Sequence, residues 1–468
     1  MPRPEMRFAF SLGLACVLAA CSTTPSYQAP TTKAASAFKE GEAFEKVFAK
    51  ATPEAASVPD AWWELFADPV LSDLQSRVVK GNTSLAANAA AVALAQAAVA
   101  SSRASLWPTV GVSAGATRSN TGGGAGSSYN AQASVSSWEI DVWNRLGGAV
   151  SAAQAREQAS QGDLASARLS VQASVAQTYF SLRAAEAQAD VLERNLQALT
   201  RSLQLTQNRY QAGVASAVDV SQAVTQLKSA QAQALESRLT RAQLEHALAT
   251  LLGVTSAEFS LAKTGQLPRV PAVPLQLPSQ LLERRPDIAA AERRVAAANA
   301  QIGAADAAFF PALTLSASAG YRDKSLGSLF NAPSRIWSLG PSFVYALFDG
   351  GGRQAASDSA RASYDQAVAI YRSTVLTALQ EVEDNLVAAS TLQEEEGLQQ
   401  ELVAAAQKTL QITNNQYSAG TVSYLNVVTA QSAELSAQTG LINVQSRRLI
   451  ALNLLLKNIA GRWDLVVK

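Results

Sequence analysis

The sequence is poor in the residues that build disulfide scaffolds, metal sites and catalytic centres. Of 468 residues, 2 are Cys, 2 are Met and 1 is His. Cys16, Cys21, Met1 and Met6 all lie at the front of the chain, so beyond residue 21 there is neither a thiol nor a thioether. That excludes an internal disulfide and a soft-metal site in the rest of the chain. The lone histidine, His246, stands beside Glu245 in a helical pattern, and no phosphate-binding loop or metal-ligand spacing appears. No catalytic residue and no resident metal or other cofactor is expected, and an enzyme is the first reading set aside. Charge of one sign is also missing: 38 Lys and Arg face 37 Asp and Glu, for a net +1. A chain without a basic field has no electrostatic footprint for nucleic acid. Aromatics make up 6% although hydrophobic residues make up 48%, much of it alanine. Closely packed long helices tolerate such a composition better than a compact core does. Proline is absent between Gly148 and Lys263 and again after Pro341.

What is present begins with a targeting signal. Arg3 and Arg7 precede an apolar run from Phe8 to Ala20, the pattern of a secretory signal peptide over 1–20. Leu18-Ala19-Ala20-Cys21 resembles a bacterial lipobox, which implies a covalent lipid (palmitate among its acyl chains) on Cys21. Residues 21–59, rich in Ser, Thr, Ala and Pro, read as an irregular lipid-anchored lead. Trp62, Trp63 and Phe66 then open the folded part, and their aromatic rings suit core packing.

From about Pro69 to Leu106 the pattern is helical and stops at Trp107-Pro108, since proline ends a helix at the preceding residue. Within it, Ala86–Ala100 is nearly all apolar but reads as too short to span a bilayer. The period then changes to two: Val110, Val112, Ala114 and Ala116 alternate with small or polar residues. Such alternation marks strands of a membrane β-barrel, expected at 108–119 and 131–142. A proline-free helix from about Gly148 to Arg209 would be ~90 Å long. Its Leu192, Leu196, Leu199, Leu203, Thr206 and Tyr210 follow a heptad seam. A glycine tip at 210–218 turns the chain into a return helix ending near Leu252.

The whole pattern returns. A connector spans 266–278, and Pro286-Asp287 starts a helix that ends at Phe309-Phe310-Pro311, 203 residues after the first such proline. Proline and an acid suit the first turn of a helix. Strands are expected at 311–323 and 335–348, with a second tip at 417–423. Val403, Ala406, Leu410, Thr413 and Tyr417 lie 207 residues after their counterparts in the first seam. The last helix closes at Ala460-Gly461. The expected fold is α+β, mainly α, in two repeats over 60–265 and 279–468. Four strands cannot close a membrane barrel, which needs about eight, so their edges must pair with other subunits.

Trp62-Trp63, Leu281-Leu282-Glu283-Arg284-Arg285-Pro286-Asp287-Ile288, Ala307-Ala308-Phe309-Phe310-Pro311 and the two Tyr-x-x-Gly tips carry a further signal. Together with the lipobox they resemble the outer-membrane factor family, in its TolC-like lipoprotein branch. The resemblance implies a homotrimer forming a 12-strand β-barrel in the outer membrane and a 12-helix α-barrel in the periplasm. It implies the passive exit duct of a tripartite, RND-type multidrug efflux pump, with a periplasmic adaptor and an inner-membrane transporter as partners. It also implies a gate at the tips. Tyr417 and Asp219 occupy positions where a tyrosine–aspartate hydrogen bond holds the family's tube shut, although Asp219 suits a helix cap equally well. Asn426 and Thr429 stand where many members carry two acids, so an acidic ring is not expected there. Gly213, Val214, Ser216, Gly420, Thr421 and Ser423 match the tip positions that receive the adaptor. Glu381, Glu383, Asp384 and Glu394–Glu396 read as a solvated acidic face. The competing readings are a duct for type I protein secretion and a trimeric coiled-coil scaffold.

Overall fold

The structure, a computed structural model, describes residues 25–31, 37–47, 61–120, 122, 124–271 and 285–459. The expected signal peptide, Cys21, most of the irregular lead, the connector from residue 272, Leu281–Arg284 and the closing Ala460-Gly461 lie outside them. Two compact units are present. One comprises Ala89–Gly162 and Ala290–Thr374 with the described part of Met1–Thr32. The other comprises Asp163–Ala289 with the described parts of Lys33–Asn88 and Val375–Lys468.

The elements, in order, are α1 (Gly41–Val47), a 3-10 turn (Trp62–Phe66), α2 (Pro69–Gly81), α3 (Thr83–Ala104), β1 (Val110–Asn120) and β2 (Ala125–Glu139). They continue with α4 (Arg145–Gln211), α5 (Ala217–Leu252), α6 (Pro286–Asp306), β3 (Ala312–Asp323), β4 (Arg335–Val344), α7 (Gly352–Ser418) and α8 (Tyr424–Ile459). The duplication is visible in length: α4 and α7 both have 67 residues, and α5 and α8 both have 36.

One expected helix is two. The pattern over residues 69–106 breaks at Asn82, whose backbone is extended and whose Oδ1 accepts the Leu85 amide while its Nδ2 donates to the Leu251 carbonyl. The break follows from a close crossing: a Cβ at Gly81 or at Gly253 would collide with the other segment's backbone carbonyl. Helix α3 is 22 residues long with a mean hydropathy of 1.4 over its most apolar window. The length argument against a membrane span therefore fails. Among the described residues it is the one helix long and apolar enough to cross, and it is mostly exposed in the single chain.

The four strands form one antiparallel sheet in the order β1-β2-β3-β4. The central β2–β3 ladder joins the two repeats, and β1 and β4 are the edges. Register sorts the side chains. Val112, Ala133, Ala319 and Trp337 form one row, and Val110, Val135, Ala317 and Leu339 the next, all on one face. The opposite face holds Gly111, Ser134, Ser318 and Ser338. Strand β2 begins earlier than the alternation suggested, because its Gly-Ser-Ser start is fixed by pairing with β1 rather than by hydrophobic period. It carries a bulge between Val135 and Trp138, with Ser137 at φ 59°. The extra residue keeps Trp138 on the apolar face, where its indole donates to the Leu106 carbonyl at 3.1 Å.

The larger core lies in the other unit, where Trp62, Phe66, Leu74, Tyr179, Phe180 and Leu248 pack with Val382, Leu452 and Leu456. Trp62 and Phe66 are indeed core residues. Asp68 caps α2 through the amides of Val70 and Leu71 and accepts the Tyr179 hydroxyl at 2.6 Å. From there a chain of charged groups continues: Arg183 stacks on Tyr179 and bonds Glu186, which also accepts from Arg241, and Arg241 bonds Glu245. These four side chains take the backbone of residues 261–264 as their remaining partners. Buried charges persist when paired and hydrogen-bonded in this way.

Arg285 plays the matching part in the second repeat. It holds Asp287 at 2.6 Å and Glu381 at 3.0 Å and reaches Asn458, while Asp287 accepts the Ile288 amide in the first turn of α6. Burial alone would raise the Asp287 carboxyl, but the Arg285 guanidinium holds it below its ordinary range. The acidic run on α7 is accordingly more than a solvated face. Glu381 serves Arg285, Glu383 accepts the amides of Lys39 and Glu40, and Glu395 and Glu396 pair with Arg447 and Arg448.

Candidate functional site

The two tips bring together more of the singled-out residues than any other place in the chain. At the first, α4 ends with the Gly213 amide on Tyr210 and the Val214 amide on the Arg209 carbonyl. At the second, α7 ends with Gly420 on Tyr417 and Thr421 on Gln416. Both are the Schellman pattern, and Gly213 and Gly420 adopt φ of 76° and 79°, the left-handed conformation that a Cβ resists. The glycine turn between long helices thus has the same backbone cause in each repeat.

Side chains make the tips different. In the first, Ser216 and Asp219 form a reciprocal capping box: the Ser216 Oγ accepts the Asp219 amide, and Asp219 Oδ2 accepts the Ser216 amide at 2.9 Å. In the second, Asn426 follows Ser423, accepts no such amide, and is exposed. Tyr417 is 5% exposed, whereas its counterpart Tyr210 is 50% exposed. Tyr417 packs edge-on against Tyr424 at 5.5 Å, in a cluster with Ala223 and Val427. Burial and the nearby Tyr417 and Asp219 push the Tyr424 hydroxyl above its ordinary value, although Ser202 at 3.3 Å works against the shift.

Arg209 joins the two. From the first tip, its Nη1 donates to the Tyr417 carbonyl at 2.9 Å and the Ser418 carbonyl at 3.2 Å, and its guanidinium lies 4.8 Å from the Tyr417 ring centroid. A cation on the last carbonyls of a helix meets the negative end of its dipole. The Tyr417 hydroxyl lies 3.3 Å from Thr206 Oγ1.

Asp219 and Tyr417 therefore belong to one neighbourhood, but among the described residues no hydrogen bond joins them. Asp219 is occupied by its cap and Tyr417 by Thr206 and Arg209. Thr429 is exposed and bonds within its own helix. Val214, Thr421 and Ser423 are exposed, and there is open space where a Cβ on Gly213 would point. Ser216 is committed to the capping box. Beside them a groove of about 420 Å³ is lined by Val218, Gln222, Leu425 and Val428.

Arg209, Thr206 and Tyr424 are the contributors that sequence reading did not assign to the tips. Arg209 had a detectable signal: its counterpart 207 residues on is Gln416, an unmatched charge inside an otherwise duplicated turn. His246 is exposed and takes no part.

Comparison with known proteins fits this architecture. The family described as "Outer membrane efflux protein" matches residues 74–254 and again 277–461, once per repeat. The antibiotic efflux pump outer membrane protein ArpC of Pseudomonas putida is 34% identical over 459 residues, covering 96% of this chain and 94% of that protein. The toluene efflux pump outer membrane protein TtgC, also of P. putida, is 33% identical over the same length and coverage. Among solved structures, the open state of the Neisseria gonorrhoeae MtrE outer membrane channel matches with a TM-score of 0.83 at 28% identity, covering 94% of this chain and 98% of that one.

Proposed function

The chain belongs to the outer membrane efflux protein family, and from that premise we propose that three copies assemble into a lipid-anchored exit duct served by a periplasmic adaptor and an inner-membrane transporter. As a member of that family it is an outer-membrane efflux channel, not an enzyme. The observation that carries the trimer is the four-stranded sheet. It has one apolar and one polar face and two edges without partners among the described residues. Three such sheets paired edge to edge give twelve strands, enough to close with the apolar face to lipid and the polar face inward. The exposed, alanine-rich α3 supplies a surface for helix packing between copies.

In this reading Cys21 carries the lipid, and the tips form the periplasmic gate. Arg209 and the Tyr417–Tyr424 pair hold the two hairpins of a protomer together. Asp219 stiffens the first tip through its capping box, and Asn426 and Thr429 leave that level without an acidic ring. The exposed Val214, Thr421 and Ser423 beside Gly213 and Gly420 offer the adaptor a surface. Transport would be passive, its substrates small molecules of the antibiotic or solvent type named for the relatives.

The test is accumulation of a fluorescent efflux dye in a deletion strain and in a complemented one. Higher accumulation on deletion, reversed by the wild-type gene, is the expected result. Equal accumulation in all strains removes the general-efflux reading.

A further inference from the structure

The polar face of the sheet carries one charge that the duct alone does not call for. Across its rows this face is mainly Gly, Ser, Thr, Asn and Gln, with Ala312, Ile336 and Val344 as its apolar members: Ser113 beside Gln132, Ser134 beside Ser318, Thr314 beside Ser342. The register puts only two charged residues there. Glu139, at the helix end, is held by Arg145 through two hydrogen bonds of 2.8 and 2.5 Å. Arg322, at the turn end in the row of Gly115 and Asn130, is exposed and has no ion-pair partner among the described residues.

The two ends of the sheet differ in the same sense. At the helix end the charges are matched or capping: Glu139 with Arg145, Asp349 with Arg353, and Asp141 on the amides of Leu146 and Gly147. At the turn end, Arg118, Arg322, Lys324 and Arg335 face a single acid, Asp323. That acid accepts the Ser334 hydroxyl and the Ser325 amide rather than any of the cations. Register places Arg118 and Arg335 on the apolar face, in the rows of Ser127 and Tyr321, so of the strand residues Arg322 alone points a cation to the polar side.

We propose that the turn end of the sheet forms an anion-attracting mouth, with Arg322 as its lumenal residue, so that the open duct favours small anionic solutes over cations. This rests on the trimeric duct proposed above, which repeats Arg322 three times around one opening. A ring of fixed cations in a narrow, low-dielectric mouth raises the local concentration of anions and repels cations. Arg118, Lys324 and Arg335 add to the same field from the rim, weakened by salt beyond about 8 Å. At the tips Asn426 and Thr429 are neutral, and Asp219, which keeps its charge in its cap, shares the first tip with the cation of Arg209.

The experiment is the reversal potential of the full-length trimer in planar bilayers under a KCl gradient. Wild type is expected to reverse on the chloride side, and to do so equally at about pH 6 and pH 9, because an arginine does not titrate there. Arg322→Lys should retain the preference, Arg322→Gln should move the potential towards zero, and Arg322→Glu should carry it to the potassium side. Arg118→Gln, on the other face, should shift it less. A potassium-selective wild type, or an Arg322→Glu channel with unchanged reversal, overturns the mouth while leaving the duct intact. A protein that conducts in no form, even when Arg209→Ala is added to release the tips, overturns the duct and this inference with it.

Discussion

Gly213 and Gly420 hold the same left-handed turn, yet Tyr210 beside the first is half exposed and Tyr417 beside the second is buried. The first tip carries charge, Arg209 and Asp219, where the second carries Gln416 and Asn426. The second carries an aromatic pair, with Tyr424 where the first has Ala217. Duplication copied the backbone solution, and contact between the copies then drove the side chains apart. Two identical tips would set like against like, whereas a cation on one and a ring and two open carbonyls on the other are complementary. The same divergence appears farther along the helices. Arg241 and Arg448 are counterparts 207 residues apart, but one pairs with Glu186 and Glu245 and the other with Glu396 and Gln393.

Four pairs of substitutions break or sharpen that comparison. The largest effect is expected from Tyr417→Ala, which removes a buried ring and should cost about 3–5 kcal/mol of local packing. Tyr210→Ala should stay within about 0.5 kcal/mol, as exposed positions do. Thermal unfolding and protease cleavage at the tips would compare the two, and equal losses would mean the tips are interchangeable after all. Next comes Arg209→Ala. It removes charge-assisted bonds to two carbonyls, about 1.5–3 kcal/mol for an interaction of this kind, and should raise the resting conductance in planar bilayers. Gln416→Ala should leave conductance where it was; a matching rise would deny Arg209 its special place.

Gly213→Ala and Gly420→Ala test the shared part. Each forces a Cβ into the left-handed region at roughly 1–2 kcal/mol, so the two should lower stability alike, with a large difference showing that the backbones are not equivalent. The smallest effect belongs to Asp219→Ala, at about 1 kcal/mol for a lost cap, with a modest increase in resting conductance. If conductance does not move while helix stability falls, Asp219 is a cap and no part of the gate. Asn426→Ala should change neither.

Much of this was legible in the residues because it depends on local rules. Proline-free stretches, the heptad seam and the glycine turns announced the two long hairpins, and period-two alternation announced the strands. The break at Asn82 was not legible, because it exists to let Gly81 cross Gly253, which is far away in sequence. The early start of β2 was hidden in a Gly-Ser-Ser run whose only instruction is its partner strand. At the tips, Asp219 was named in the sequence both as a cap and as a gate residue. Arg209 reaching across to Tyr417 was beyond sequence reasoning, since a guanidinium gives no local sign of which distant carbonyl it will meet.

The sequence by itself determined the duplication, the helix and strand periods and the turn glycines, since each follows from backbone sterics or hydrophobic period. Tertiary structure alone decided which repeat's tyrosine is buried, which arginine closes which helix, and that Glu381, Glu383, Glu395 and Glu396 of the acidic run on α7 find partners while Asp384 and Glu394 stay exposed. Those outcomes depend on which surfaces are brought together, and burial and charge pairing are properties of the contact, not of the segment.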